Sequence, residues 1–286
     1  MLELAREYPP QDEQRHIDSL IQHLRAKMEA DYGKNRILRD AHPKMHGCVR
    51  AQFTVDANLP PELRVGIFSQ GRSYPAWIRF SNQNNTISPD SKADIRGVAL
   101  KLMGVGGEKL LPNETQGTTH DFILISDDRF VTKDVAEFDA LVTALLGGAI
   151  KMLWFFLTHL RVAKNLWTSL KHFSNPLAIR YFSVAPYLFG KQAVKYCLTP
   201  RDTPETPIPA KATDDYLRTA MVNQLSSREA SFDFSVQFQT DPVSMPIEDA
   251  GVTWDEAASP FRKVATVTIP AQVFDTAERQ IGRAHV

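Results

Sequence analysis

The stretch Arg39–Val55, RDAHPKMHGCVRAQFTV, decides how the rest of the chain is read. It carries two histidines four residues apart, His42 and His46. That spacing puts both on one face of a helix, as in helical zinc sites. Pro43 lies between them, however, and the following run CVRAQFTV is rich in β-branched and aromatic residues, which favours a strand. On a strand, positions i and i+4 are about 13 Å apart at ~3.3 Å per residue, too far to share one ion. The segment is therefore read as the entry to a β-strand and not as a metal site.

Upstream of it, residues from about Asp12 to Tyr32 predict a helix, with Ile17, Leu20, Ile21 and Leu24 at helical spacing among charged residues. Downstream, CVRAQFTV, RVGIF, PAWIRFSN, DIRGVALKLMGV and HDFILIS read as short strands separated by Gly, Pro and Asn clusters. GVGGEK, Gly104 to Lys109, lacks the spacing of a phosphate-binding loop and reads as a hairpin turn. KDVAEFDALVTALL opens a helical region expected to continue, with breaks, to about residue 200. A proline-rich connector, TPRDTPETPIPAKATD, leads to a last helix in TDDYLRTAMVNQLSSR, and FDFSVQFQT and RKVATVTIP are returning strands. Strands, then helices, then strands predict an α+β domain whose late strands rejoin the early sheet. The expected division is an N-terminal helix over 1–35, barrel strands over 36–138, a helical region over 139–230 and returning strands over 231–275, all in one domain.

Composition narrows the function classes. The chain has 286 residues, 43% hydrophobic and 23% charged, the balance of an ordinary globular protein. Lysine plus arginine and aspartate plus glutamate number 33 each, so no basic excess points to nucleic acid. The two cysteines, Cys48 and Cys197, form no CxxC motif, which argues against a disulfide framework or a thiolate metal site. The N-terminus MLELAREYPPQDEQ has no basic and apolar leader, and a cytoplasmic protein is expected. The apolar run ALVTALLGGAIKMLWFFLTHL, Ala140 to Leu160, is long enough to span a bilayer. Lys151 at its middle and charged flanks favour a buried or surface-docked helix.

Four segments, in order, resemble the haem-binding core of the catalase family: RDAHPK (Arg39 to Lys44), WIRFSN (Trp77 to Asn82), DIRGVALKL (Asp94 to Leu102) and HDFILISDDRFVTKDVAEF (His120 to Phe138). The resemblance spans about residues 36 to 140 and is closest to the short catalase-related peroxidases. It implies a catalase-type antiparallel β-barrel binding haem b, with a peroxide as substrate. It assigns His42 as the distal acid–base, Ser81 as the acceptor fixing its tautomer, Arg39 and Arg79 as partners of the haem propionates, and Phe138 as a ring packed on the porphyrin. Such an assignment suits the chemistry, because heterolysis of a peroxide O–O bond needs a base that moves one proton between two oxygens, and a neutral imidazole does this at pH 7. His46 reads as structural, and Arg96 and Lys101 as supports of the barrel.

The chain also departs from the family pattern. Ser126, followed by Asp127, stands where catalases carry a distal asparagine, and Ala41 stands where a valine narrows the channel. Both departures point toward organic hydroperoxides, with hydrogen peroxide dismutation a lesser activity. The family's proximal ligand is a tyrosine within Arg-x-x-x-Tyr, and none of the seven tyrosines has an arginine four residues before it. The final residues, IGRAHV, resemble a translated sequencing-adapter remnant, so the proximal tyrosine is expected beyond about Gln280 of the natural protein. The competing readings are a non-catalytic haem-binding or haem-sensing barrel and an enzyme that rearranges fatty-acid hydroperoxides. No nucleic-acid partner is expected. The sequence does not favour membrane or lipid association, and it leaves oligomerisation open.

Overall fold

The computed structural model describes residues 2–33, 39–110, 115, 117–203 and 206–276. The proposed adapter remnant and the region after Gln280 lie outside the described residues. Helix α1 (Glu13–Tyr32) is followed by β1 (Met45–Val55), β2 (Ser73–Asn82), β3 (Arg96–Met103) and β4 (Thr119–Ile125). Three helices come next, α2 (Val135–Leu146), α3 (Ala149–Thr158) and α4 (Leu160–Ser169). The chain then returns through β5 (Tyr181–Phe182), β6 (Tyr187–Phe189), β7 (Gln192–Pro200), α5 (Tyr216–Leu225), β8 (Ala230–Phe238) and β9 (Arg262–Ile269).

Every pairing between these strands is antiparallel, in the order β5-β4-β3-β2-β1-β9-β8-β7-β6, and β5 also pairs with β7. That last pairing closes eight strands into a barrel, with β6 as a hairpin partner on β7. Closure satisfies the backbone groups that an open sheet would leave at its edges. The four motif-bearing strands are consecutive neighbours, as the sequence led us to expect. The barrel is filled by alternate side chains, among them Val49, Phe53, Ile78, Phe80, Leu100, Phe122, Phe234 and Val267, all buried. Phe53 meets Phe234 edge-on at 5.1 Å, and Phe122 lies 4.7 Å from the same ring. The first half of β1 has β2 on one side only. On the other side the Gln272 amide donates to the Arg50 carbonyl (2.8 Å) and accepts from its N–H (3.0 Å), standing in for a strand.

Two expectations change. RVGIF is not a strand: Gly66–Phe68 forms a 3-10 turn, entered at a left-handed Gly66 (φ 53°), which turns Phe68 into the barrel core. The α-helices end at Ser169, short of residue 200, and after a 3-10 turn at Pro176–Ala178 the chain forms β5, β6 and β7 between Tyr181 and Pro200. QAVKYCLTP is almost wholly buried, so it lacks the alternation that marks a half-exposed strand. The two-residue turn Gly190–Lys191, with glycine first at φ 66°, is what makes β6 and β7 a hairpin. The connection after β3 starts at GVGGEK as expected, with Gly104 and Gly107 at positive φ, but runs on to residue 118. The apolar run 140–160 breaks at Gly147–Gly148 and again at His159, and no described helix is long and apolar enough to cross a membrane.

Candidate active site

Because strand side chains alternate, the residues between the barrel-filling ones face outward from β1–β4. The pairing register sets Cys48, Arg79, Ala99 and Ile123 on one outer rung, and Ser81, Gly97 and Ile125 on the next. A bulge at Met45–Gly47 offsets the start of β1 from β2. The segment before the bulge folds over the second rung and carries His42.

His42 has φ 60°, a left-handed conformation that non-glycine residues adopt at some cost and that clusters at functional sites. Its N–H donates to the Gln83 carbonyl (3.3 Å), and its carbonyl accepts from Arg79 Nη2 (2.6 Å). The imidazole Nδ1 lies 3.0 Å from Ser81 Oγ. A Cβ on Gly97 would fall 2.5 Å from His42 Cε1, so the ring rests directly on that glycine's backbone. This gives a physical reason for glycine in DIRGVA. Burial, then the charges of Arg79 and Arg39, push the His42 pKa down to about 4. The imidazole is neutral at pH 7, and the tautomer in which Nδ1–H donates to Ser81 Oγ leaves Nε2 as the basic nitrogen.

Arg79 is buried, and its guanidinium pKa is lowered to about 10 by that burial and by the charge of Arg39. Its Nε is buried with no hydrogen-bond partner. Among the described residues neither Arg79 nor the exposed Arg39 has a carboxylate partner. Two cations facing no acid, one with an orphaned N–H, form a site that calls for an anionic group. The propionates of a haem fit that requirement. Burial pushes the Tyr181, Tyr187, Tyr196 and Tyr216 hydroxyls up, away from the phenolate form that a proximal ligand needs.

Phe138, on the first turn of α2, is half-buried and meets Phe130 edge-on at 5.4 Å. Phe130 packs in turn on the cluster of Ile95, Ile125 and Val131. Phe138 thus connects to the Ser81–Gly97–Ile125 rung through intermediate side chains. Ser126 is committed locally: its Oγ accepts from the Arg96 N–H (2.9 Å), and its own N–H donates to the Arg96 carbonyl (2.8 Å). Neighbouring Asp127 is buried, and burial raises its pKa.

His46 is part of a buried polar cluster that the sequence reading did not find. Its Nε2 is 2.5 Å from Asn82 Oδ1, and burial above all holds its pKa at about 4. Arg96 donates to the same Asn82 oxygen. Asp90, fully buried, pairs with Lys44 (2.8 Å) and accepts the Leu217 N–H at the start of α5 (2.9 Å). The members come from positions up to 173 apart, so no local pattern announces them. Lys101 pairs with Asp121 across β3 and β4 (2.9 Å), the barrel support expected of it. The described residues contain no group of three metal-ligating side chains.

The sequence matches no family model and no curated protein. Its fold does match solved catalases. A bacterial catalase superposes with a TM-score of 0.66 at 17% identity, covering 96% of this chain and 55% of that one. A fungal catalase gives 0.64 at 15% identity, with 96% and 57% covered. Catalase A from Saccharomyces cerevisiae gives 0.64 at 18% identity, with 96% and 58% covered. The class defined by the barrel is the catalase-type fold, and the chain spans a little over half the length of those catalases.

Proposed function

We propose that the chain carries the distal side of a haem-dependent, peroxide-consuming site whose preferred substrates are organic hydroperoxides. One observation carries this reading: the neutral imidazole of His42, fixed by Ser81 and flanked by two arginines that lack acidic partners. Haem, when bound, supplies the iron redox chemistry, and the protein's part is binding, orientation and proton movement. In this reading Arg79 and Arg39 bind the propionates, and the buried Arg79 Nε finds its missing acceptor there. His42 Nε2 takes the proton from one peroxide oxygen and returns it to the other, while Ser81 keeps Nδ1 from competing. Ala41, beside His42, leaves room for an alkyl group on the peroxide. Ser126, tied to Arg96, supports the turn after β4 and contributes no amide to orient a small peroxide.

The test uses haemin-reconstituted protein extended to include the expected proximal tyrosine, with cumene hydroperoxide and a reducing dye. His42→Ala is expected to retain haemin and lose turnover by roughly 10²-fold, the worth of a positioned general base. Arg79→Leu is expected to weaken haemin binding, read by quenching of tryptophan fluorescence. Turnover unchanged in His42→Ala, or haemin affinity unchanged in Arg79→Leu, overturns the assignment.

A further inference from the structure

Helices α2–α4 come between β4 and β5 in the chain, and their outer face is out of keeping with a solvated surface. Ile150, Leu153, Trp154 and Leu157 recur at i, i+3, i+4 and i+7 on α3 and are all exposed, Ile150 at 86% and Trp154 at 68%. Leu160 and Trp167, exposed at 70% and 82%, continue the pattern on α4, with Lys164 between them. Leu145 and Leu146 at the end of α2 are exposed as well. An apolar area of this kind marks an interaction surface. A cleft of about 570 Å³ between α2 and α3 opens onto it, with Ala144 and Phe155 as floor and Ile150, Trp154 and Lys151 at its edge.

Charge identifies what covers it. From Ala140 to Arg201 the chain has no aspartate or glutamate but eight lysines and arginines. The nearby carboxylates are engaged elsewhere: Asp249 and Glu137 with Arg161, and Asp127 with Lys171. Lys151 and Lys164 pair with no carboxylate among the described residues. A second copy docked two-fold on this face would set lysine against lysine with no acid to answer. Exposed tryptophans and leucines interleaved with unpaired lysines suit a surface that is apolar below and anionic above.

We propose that the α3–α4 face docks on an anionic lipid bilayer, with Trp154, Trp167 and the leucines in the interfacial layer, Lys151 and Lys164 on lipid phosphates, and the α2–α3 cleft receiving an acyl chain. This does not rest on the peroxide reading, and its test needs no haem. The protein is floated with vesicles of phosphatidylcholine alone or with about a third phosphatidylserine, at low and high salt. Partitioning about tenfold or more higher on the anionic vesicles, lost at high salt, is expected. A blue shift of tryptophan emission should accompany it. Trp154→Ser with Trp167→Ser, and separately Lys151→Glu with Lys164→Glu, should each abolish binding while circular dichroism and the melting temperature stay those of the parent. The proposal is overturned by equal partitioning on both vesicle types, by binding that survives both double variants, or by a dimer in sedimentation that Trp154→Ser with Trp167→Ser dissociates while vesicles capture nothing.

Discussion

At the scale of single residues, His42 and His46 tie stability to pH. Both are held at about 4 in the folded chain, chiefly by burial, against about 6.5 for a free imidazole. A depressed folded pKa means that the unfolded chain binds protons more readily between those values. The stabilising contribution is therefore complete above pH 6.5 and is lost as pH falls toward 4. At about 1.4 kcal/mol per unit, His42 alone accounts for on the order of 3 kcal/mol. Urea unfolding at pH 7 and pH 5 checks this: the midpoint should drop at pH 5 in the parent, and the drop should shrink in His42→Gln. Gly97→Ala tests the seat of the same ring. Its Cβ would overlap His42 Cε1, so the imidazole should leave Ser81 and titrate nearer to 6.5, read from its ring-proton shifts by NMR. The His42–Ser81 contact was legible in sequence because RDAHPK and WIRFSN carry short, ordered signals, whereas the Gly97 seat emerged only from the pairing of β2 with β3. The Asp90 cluster was not, since its charges meet only after the barrel has folded.

At the scale of elements, α1 is held to α2 by one carboxylate. Asp139, buried on α2, accepts from Ser19 Oγ (2.9 Å) and lies 2.9 Å from His16 Nδ1 and 3.5 Å from His23 Nδ1. Hydrogen bonds to a charged group contribute roughly 1.5–3 kcal/mol each, less where solvent reaches them. Asp139→Ala should therefore lower the melting temperature and speed hydrogen exchange across Glu13–Tyr32, with β1–β4 exchange unaltered. Faster exchange spread evenly over the chain would show that Asp139 serves the whole fold and not the helix contact. The 3.6-residue period predicted α1 to within a residue, and the alternation of FDFSVQFQT predicted β8. β7 escaped because burial on both faces removes the alternation, and β5, two residues long, has no period at all.

For the whole molecule, the strands–helices–strands order predicted that the late strands rejoin the early ones, and they do so through β1–β9 on one side and β4–β5–β7 on the other. In the proposed reading the distal side is a wall on the barrel: a base, two cations and a glycine floor from two neighbouring strands, β2 and β3, and the segment before β1. In that reading the iron needs a ligand from the other side. A phenol near pKa 10 needs cationic neighbours to ionise. Burial pushes the Tyr181 and Tyr216 hydroxyls the other way, and they donate to the Pro176 and Phe173 carbonyls. Haemin added to the 286-residue chain should therefore bind through Arg79 and Arg39, weakly and with salt-sensitive affinity, and its absorption should lack the signature of tyrosinate ligation. Arg79→Leu should remove most of that binding, whereas Tyr181→Phe should leave it unchanged. A stoichiometric tyrosinate-type spectrum that vanishes in one tyrosine variant would place the proximal ligand inside this chain, and the barrel would then have to open around that residue to bring it to the iron.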